Sequence, residues 1–311
     1  MLKNNVISKY RQKERKRIFN RIIVLAVSLF ILVAIFKFSC KTRTEEENVL
    51  KRVEENLKSI EKNPLNVELY TELGSDYLKL GTLSEEKVGS KVANVEYYDN
   101  AIKYFRKAVV LGGKKNIAGK VHYQLGIVYF KKGKEYHKEA ISEFTEAIGT
   151  GYRNIELMSF LGNIYAQSGD YRKAIECYEK AYDMDKKNTT HVFNLAWAYK
   201  QLKEYDKSIE LFSRILKMDE TKKDMLFITY ESLGWLNYST GNYDESLKYY
   251  ENLLKISPGY EKTLYWLGKV HKAKKEYAKA ADYMNRLLKI NPSNSDAKNQ
   301  LKELARESQI K

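Results

Sequence analysis

The sequence predicts an all-α protein built from a repeated pair of helices and preceded by one helix that crosses a membrane. Three observations support this fold class. The 311 residues include only three prolines and sixteen glycines, and 31% of them are charged, which is typical of a helical protein. Short strings containing a small residue recur along the chain, and one long apolar stretch lies near the amino terminus.

The first residues of the chain are strongly basic. Residues 1–21 contain eight Lys or Arg side chains and one acid, Glu14, so residues 22–311 have 47 bases and 39 acids. About half of the formal net charge of +15, a net +7, therefore lies in the first 21 residues, and the rest of the chain is only mildly basic with a net +8. A protein that binds nucleic acid needs a basic surface on its folded part, so we expect no nucleic-acid partner.

An apolar stretch follows directly. Fifteen residues from Ile22 to Phe36 include a single polar one, Ser28. Extended to Cys40, the stretch spans roughly 28 Å at about 1.5 Å per helical residue, close to the hydrocarbon thickness of a bilayer. We predict a transmembrane anchor at 21–40 after a cytoplasmic segment at 1–20. The bases before the span and the acids at 45–47 after it place the remainder outside the cytoplasm, in the periplasm of a bacterium.

Two other fates of this segment stay open. A cleaved secretory signal requires small residues before the cut, and only Ser39 is available. A lipoprotein signal would attach lipid to Cys40, but such signals resemble Leu-Ser-Gly-Cys, whereas Lys37 and Phe38 stand upstream here. We therefore favour an uncleaved anchor.

The repeat is visible as two alternating strings. The first includes "HYQLGIVY", "SFLGNIY" and "ESLGWLNY", and its small residues are separated by 52, 36, 34, 38 and 34 positions. The second includes "EAISEFTEA" and "KAIECYEKA", whose i, i+4, i+7 spacing lines one face of a helix. The three prolines, Pro64, Pro258 and Pro292, all lie after or between repeats, where a helix must stop. The small residues of the first string are Gly74, Gly126, Gly162, Ala196, Gly234 and Gly268.

These strings resemble the tetratricopeptide repeat (TPR), whose pattern is W-x2-L-G-x2-Y, then A-x3-F, then P, over about 34 residues. The resemblance covers 63–292 and implies a right-handed α-solenoid of about six TPR hairpins. In the first repeat about fifteen extra residues, 82–96, are expected to lengthen the turn. Residues 41–62 read as a linker and leading helix. Residues 293–311 read as a capping helix with Ser295 as its N-cap.

The chain lacks a recognisable catalytic or cofactor motif. Four histidines are scattered among the repeats, two cysteines make no metal-ligand spacing, and there is no P-loop or Gly-x-Ser-x-Gly. We therefore expect no enzyme activity, no cofactor, no metal and no small-molecule substrate. Protein partners are expected instead.

In the TPR family the concave groove is lined by the first helix of each hairpin, and the resemblance carries this face onto the present chain. Family members that hold a peptide carboxyl terminus pair Lys with Asn there, but only Asn163 fits, so a carboxylate clamp is not expected. Aromatic side chains are concentrated on this face, and they suit an apolar helix or extended peptide. Packing between repeats is the alternative explanation. The predicted groove residues are Tyr123, Phe130, Asn163, Phe193, Trp197, Trp235, Tyr238 and Tyr265.

The predicted function is a membrane-anchored TPR scaffold of the bacterial cell envelope that binds a peptide or helix of its partners. Outer-membrane assembly, cell-wall assembly and the collar of a periplasmic flagellar motor are processes in which such proteins take part. The alternative is an anchored TPR receptor or co-chaperone that faces the cytoplasm. The bases before the span argue against that orientation.

Overall fold

Helices account for nearly all of the chain that the structure describes. The computed structural model describes residues 45–85, 91–218 and 222–309. Over these residues no strand is present, and a short 3-10 turn at Lys134–Tyr136 precedes one helix. The helices are α1 (45–62), α2 (Val67–Glu85), α3 (Lys91–Leu111), α4 (Lys115–Lys132), α5 (His137–Gly149), α6 (Ile155–Gln167), α7 (Tyr171–Met184), α8 (Thr189–Gln201), α9 (Tyr205–Ile215), α10 (Lys223–Ser239), α11 (Tyr243–Ile256), α12 (Glu261–Ala273), α13 (Tyr277–Ile290) and α14 (Ser295–Gln309).

The helices pair into antiparallel hairpins within two compact units; unit 1 ends at Tyr152 and unit 2 begins at Arg153. In unit 1, α2 packs on α3 and α4 packs on α5. In unit 2 the hairpins are α6/α7, α8/α9, α10/α11 and α12/α13, and α14 packs on α13. The predicted all-α repeat of helical hairpins is confirmed over the described residues. We call the first helix of each hairpin the A helix and the second the B helix.

Side-chain caps and left-handed residues set the hairpin turns. The Asn154 side chain accepts from the Glu156 backbone N–H at 2.7 Å where α6 begins, and Asp170 accepts from Lys173 N–H at 3.2 Å where α7 begins. The tight turn between helices needs a residue with positive φ, which Gly169 supplies at 80°. In the next hairpin Lys203 takes this conformation at 62°, which strains an L-residue.

Each hairpin is closed by a small residue of the A helix facing a large one of the B helix. A Cβ added to Gly126 on α4 would lie 2.5 Å from the Phe144 ring of α5. At Gly234 on α10 it would lie 2.7 Å from the Tyr250 ring of α11. Phe144 and Tyr250 are fully buried. The spacing of the repeat strings therefore has a packing cause, because only a small residue allows the two helices to approach this closely.

Ten of the fifteen extra residues of the first hairpin are helical and therefore do not lengthen its turn as expected; the other five, 86–90, lie outside the described residues. Residues 82–85 continue α2, and 91–96 belong to α3. A second small-large layer forms seven positions away from the first: Gly74 faces Phe105, and Gly81 faces Tyr98. The added residues thus extend α2 by about one turn and α3 by nearly two turns, and the second layer repeats the same packing.

Helix α1 covers this longer hairpin. Val49 and Val53 of α1 are buried in one cluster with Leu73, Leu80 and Leu83 of α2. An ion pair at the edge of the cluster joins Arg52 Nη2 to the buried Asp76 Oδ1 at 2.5 Å, and this hydrogen bond raises the pKa of the guanidinium. The added turns of α2 have therefore gained a packing partner in α1.

At the other end of the chain, α14 covers the last hairpin. Ala297 and Leu304 are buried against Leu264, Met284 and Leu287. The predicted N-cap, Ser295, is wrong by one position: Asn294 Oδ1 accepts from the Ala297 N–H at 3.0 Å, and Ser295 is already helical. An N-cap must have a non-helical backbone, so it has to precede the first helical residue.

The predicted basic segment 1–20, the predicted anchor 21–40 and Cys40 lie outside the described residues. Within 45–85, 91–218 and 222–309, no helix is both long enough and apolar enough to span a bilayer.

Candidate partner-binding site

The eight predicted groove residues lie on A helices in both units. In unit 1, Tyr123 and Phe130 are on α4. In unit 2, Asn163 is on α6, and the five remaining aromatic residues are on three further A helices: Phe193 and Trp197 on α8, Trp235 and Tyr238 on α10, and Tyr265 on α12. All eight except Tyr123 are partly exposed.

The two predicted residues of unit 1 are packed against rings of their own unit. Tyr123 is only 7% exposed, and its ring lies 6.1 Å from the Phe144 ring and 5.5 Å from the Tyr152 ring, centroid to centroid. Phe130 stacks on His137 at 6.1 Å. Tyr123 therefore offers almost no surface to a partner in this conformation.

Asn163 is held by its own hairpin. The Tyr178 hydroxyl of α7 donates to Asn163 Oδ1 at 2.7 Å, and burial raises the pKa of that tyrosine. Nearby, Ser159 Oγ lies 3.1 Å from His191 Nδ1. Burial lowers the pKa of His191, so the imidazole is held neutral. With its amide oxygen already accepting a hydrogen bond, Asn163 has its amide N–H groups left to offer a partner.

The two tryptophans occupy equivalent positions in consecutive hairpins, and the same kind of residue supports each. Trp197 meets the Tyr171 ring edge-on at 5.7 Å, and Trp235 meets Tyr205 edge-on at 5.7 Å. Each tyrosine is the first residue of the preceding B helix. Packing between hairpins is thus part of what these rings do. Their remaining exposed surface is held in a fixed orientation by that packing.

A lysine side chain lies over one of these tryptophan rings. The Lys200 ammonium of α8 lies over the Trp235 ring, 4.8 Å from its centroid, and burial lowers the pKa of that ammonium. The neighbouring carboxylate of Glu231 is paired with Lys262. A desolvated ammonium over an indole is a favourable cation–π contact. The face therefore combines aromatic surface with a partly buried positive charge.

Trp266 on α12 was missed by the sequence-based choice of groove residues. Its ring lies 5.3 Å from Tyr238 and 6.0 Å from Tyr265, edge-on in both cases, and it stacks on the buried Tyr250 at 6.2 Å. Lys269 lies within 6.0 Å of the Tyr238, Tyr265 and Trp266 centroids. The helical spacing that selected Tyr265 places its neighbour Trp266 on another face of α12. The indole ring is nevertheless large enough to contact both Tyr238 and Tyr265.

We use the name aromatic face for eight partly exposed side chains on α8, α10 and α12 of unit 2. Its members are Phe193, Trp197, Lys200, Trp235, Tyr238, Tyr265, Trp266 and Lys269. In the part of the chain that the structure describes, no three His, Cys, Asp or Glu side chains come together as metal ligands. The aromatic face can bind the surface of a partner protein by burying its rings against that surface and by pairing its lysines with negative charges there.

Comparison with known protein families identifies the repeat. Two tetratricopeptide-repeat profiles match residues 117–187 and 161–222, and the profile of regulator of microtubule dynamics protein 1-3 matches residues 237–309. The chain is thus a TPR protein. Such repeats are protein-interaction modules, so it is a protein–protein interaction scaffold.

The chain is also similar to individual proteins. Anaphase-promoting complex subunit 3 of Schizosaccharomyces pombe is 32% identical over 101 residues, which are 32% of this chain and 14% of that protein. The chain thus spans about one seventh of that relative. The C-terminal part of a TPR repeat-containing protein from Cytophaga hutchinsonii superposes with a TM-score of 0.64 at 18% identity, covering 82% of this chain and 95% of that one. PilF of Pseudomonas aeruginosa superposes with a TM-score of 0.51 at 17% identity, covering 75% and 97%. Both structures show the shared fold.

Proposed function

We propose that this TPR protein is a membrane-anchored scaffold of the bacterial cell envelope, and that its aromatic face binds a peptide or helix of partner proteins. The observation that carries the binding proposal is the repetition of supported, partly exposed rings on α8, α10 and α12. The apolar sequence at 21–40 and the basic residues before it support the anchor and its orientation. Outer-membrane assembly, cell-wall assembly and a flagellar motor collar are the envelope processes we consider.

The rings of the aromatic face suit a partner side chain that is apolar and large. Trp197 and Trp235 are already held by Tyr171 and Tyr205, so binding costs little side-chain entropy. A truncated central tryptophan in an interface typically costs at least about 2 kcal/mol, or roughly thirtyfold in affinity. We expect the two tryptophans to dominate binding.

A crosslinking pull-down from intact membranes tests the binding proposal. The Trp197→Ala plus Trp235→Ala variant should lose the partners that the native chain retains. A matched control removes two partly buried rings from B helices, Tyr182→Ala plus Tyr249→Ala. Circular dichroism verifies that both variants are folded. An unchanged partner set in the tryptophan variant, or equal losses in both variants, would refute a role for the aromatic face.

The orientation of the anchor is tested separately. The alternative is a cytoplasm-facing anchored TPR receptor or co-chaperone, which would use the same repeats on the other side of the membrane. We fuse to Lys311 a reporter that is active only outside the cytoplasm, and we expect this fusion to show activity. Activity of a cytoplasm-specific reporter at the same position would establish the alternative and reject the envelope scaffold.

A further inference from the structure

A groove in unit 1 differs in chemistry from the aromatic face. It lies between α1, the start of α2 and the second half of α3, and encloses about 690 Å³. We call it the α1–α3 groove. The residues that line it are Leu57, Ile60, Glu61, Tyr70, Lys103, Tyr104, Arg106, Lys107 and Val110.

The floor of the α1–α3 groove is aromatic and rigid. The Tyr104 ring stacks on Tyr77 at 5.4 Å and on Tyr70 at 6.4 Å, centroid to centroid. The Tyr70 hydroxyl donates to the Pro64 carbonyl at 3.2 Å, which fixes that ring beside the turn between α1 and α2. At the mouth of the groove, Val110 is 79% exposed. Apolar surface therefore runs from the floor to the solvent.

The rim of the groove is basic. Lys103, Arg106 and Lys107 occupy i, i+3 and i+4 of α3, so their side chains are neighbours on one face of the helix. Against these three cations stands one acid, Glu61 of α1. Arg106 donates to the Tyr129 hydroxyl at 2.7 Å, and Lys103 lies 5.2 Å from the Tyr104 centroid. Neither lysine is paired with a carboxylate in the described part of the chain.

Two grooves of unit 2 have the opposite charge. The groove between α7, α8 and α9 encloses about 390 Å³ and is lined by Glu179, Asp183 and Glu210, with Lys207 as its one basic residue. The groove between α11, α12 and α13 is lined by Glu251, Asp282 and Lys279 beside His271. The repeat itself therefore does not demand a basic rim. Compared with these two grooves, the α1–α3 groove is larger and carries positive instead of negative charge.

We propose that the α1–α3 groove binds an acidic amphipathic helix of a partner protein. An incoming helix can insert apolar residues at i, i+3 and i+4 between α1 and α3, over the tyrosine floor. Carboxylates one turn apart on that helix are about 6 Å apart, which matches the spacing of Lys103 and Lys107 on α3. The complementary charges orient the partner, and the apolar floor supplies most of the affinity.

Designed peptides test this assignment on the full chain in a non-ionic detergent. The acidic peptide has Leu at i, i+3, i+4 and i+7 over about five helical turns, with Glu at the flanking positions, and its twin has Lys in place of Glu. Binding of each labelled peptide is followed by fluorescence anisotropy. We expect the native chain to bind the acidic peptide at least about tenfold more tightly than the twin.

Charge reversal provides the decisive comparison. The Lys103→Glu plus Lys107→Glu variant should lose about tenfold or more in affinity for the acidic peptide and should gain affinity for the Lys twin. A control with the same change in net charge, Lys180→Glu plus Lys217→Glu, alters exposed lysines outside the groove and should bind as the native chain does. Circular dichroism confirms folding, and gained affinity for the twin cannot arise from unfolding.

Three results would overturn the proposal. The first is failure of the native chain to bind the acidic peptide. The second is equal binding of the two peptides, or equal weakening by the groove and control variants, which would indicate unspecific attraction. The third is Lys103- and Lys107-dependent binding to phosphatidylglycerol vesicles without peptide binding, which would make the groove a lipid site.

Discussion

Replacement of Gly126 by alanine tests whether close helix approach sets the repeat. The new Cβ would lie 2.5 and 2.6 Å from two carbons of the Phe144 ring, whereas carbon atoms pack best at about 3.5–4.0 Å. Either α4 must move by about 1 Å or the fully buried ring must leave its rotamer. Overpacking of this kind costs about 1–3 kcal/mol, and the better helix propensity of alanine returns about 1 kcal/mol. We expect a net loss of about 1 kcal/mol.

Gly149 provides the matched control because it lies in the same hairpin. It is the last residue of α5, and a Cβ added there would meet no atom within 4 Å. Gly149→Ala therefore gains propensity without a clash, and we expect a change between zero and about 1 kcal/mol of stabilisation. The free energies of unfolding of the two variants should differ by about 1–3 kcal/mol in urea titrations.

A rescue experiment separates the clash from other effects. Phe144→Leu removes the ring that the new methyl group would strike, so Gly126→Ala should cost less in that background. We expect a coupling energy of at least about 0.5 kcal/mol in the double-mutant cycle. If Gly126→Ala is as stable as Gly149→Ala, or if the cycle shows no coupling, close approach of α4 and α5 is not the reason for the glycine.

Three further predictions concern unit 2. Burial lowers the pKa of His191, so below about pH 6.5 the unfolded chain binds more protons than the folded one. The free energy of unfolding therefore falls as the pH falls. His191→Gln should make the free energy of unfolding less dependent on pH between about pH 7.5 and 5, as measured by urea titrations. Lys203→Gly should raise the melting temperature, because it relieves a left-handed lysine that costs about 1–2 kcal/mol; an unchanged or lower value would show that no strain is stored there. Burial raises the pKa of the Cys177 thiol to about 11, so in a Cys40→Ser chain iodoacetamide at pH 8 should label folded Cys177 far more slowly than urea-unfolded Cys177; equal rates would contradict its burial.

The hairpin repeat could be predicted from the sequence because the contacts that produce its pattern lie within one hairpin. The small residue of each first string and the large residue of each second string face each other, as Gly234 and Tyr250 do, and the spacing of each string is set by one helix. A close-packed hairpin therefore leaves a pattern in the sequence that needs no knowledge of distant residues.

The length of the helices in the first hairpin could not be predicted in the same way. Alignment with a repeat of about 34 residues assigns any additional residues to the turn. The surplus at 82–96 mixes good helix formers with Val, Ser, Thr, Asn and Gly, so propensity does not decide its structure, and its Leu83 is buried against α1. Whether such residues extend a helix depends on a packing partner, and here that partner is α1, a separate segment of the chain.

The sequence predicted which helices carry most residues of the aromatic face, but it did not predict which side chains these residues contact. Trp197 and Trp235 could be placed on the A helices from the repeat alone, but their supports, Tyr171 and Tyr205, come from the neighbouring hairpin. The spacing within one helix does not say which ring of another hairpin it will meet. For the same reason Tyr123 was placed with the groove residues although it is buried against Tyr152.

Site-specific photocrosslinking in intact cells tests most directly whether the aromatic face binds partner proteins. Benzoylphenylalanine in place of Lys200 would lie beside the Trp235 ring, and in place of Lys248 it would lie on an exposed part of the B helix α11. We predict that position 200 forms a crosslink to a partner segment carrying aromatic or aliphatic residues, and that position 248 does not. No crosslink from position 200, or the same products from both positions, would contradict binding at the aromatic face.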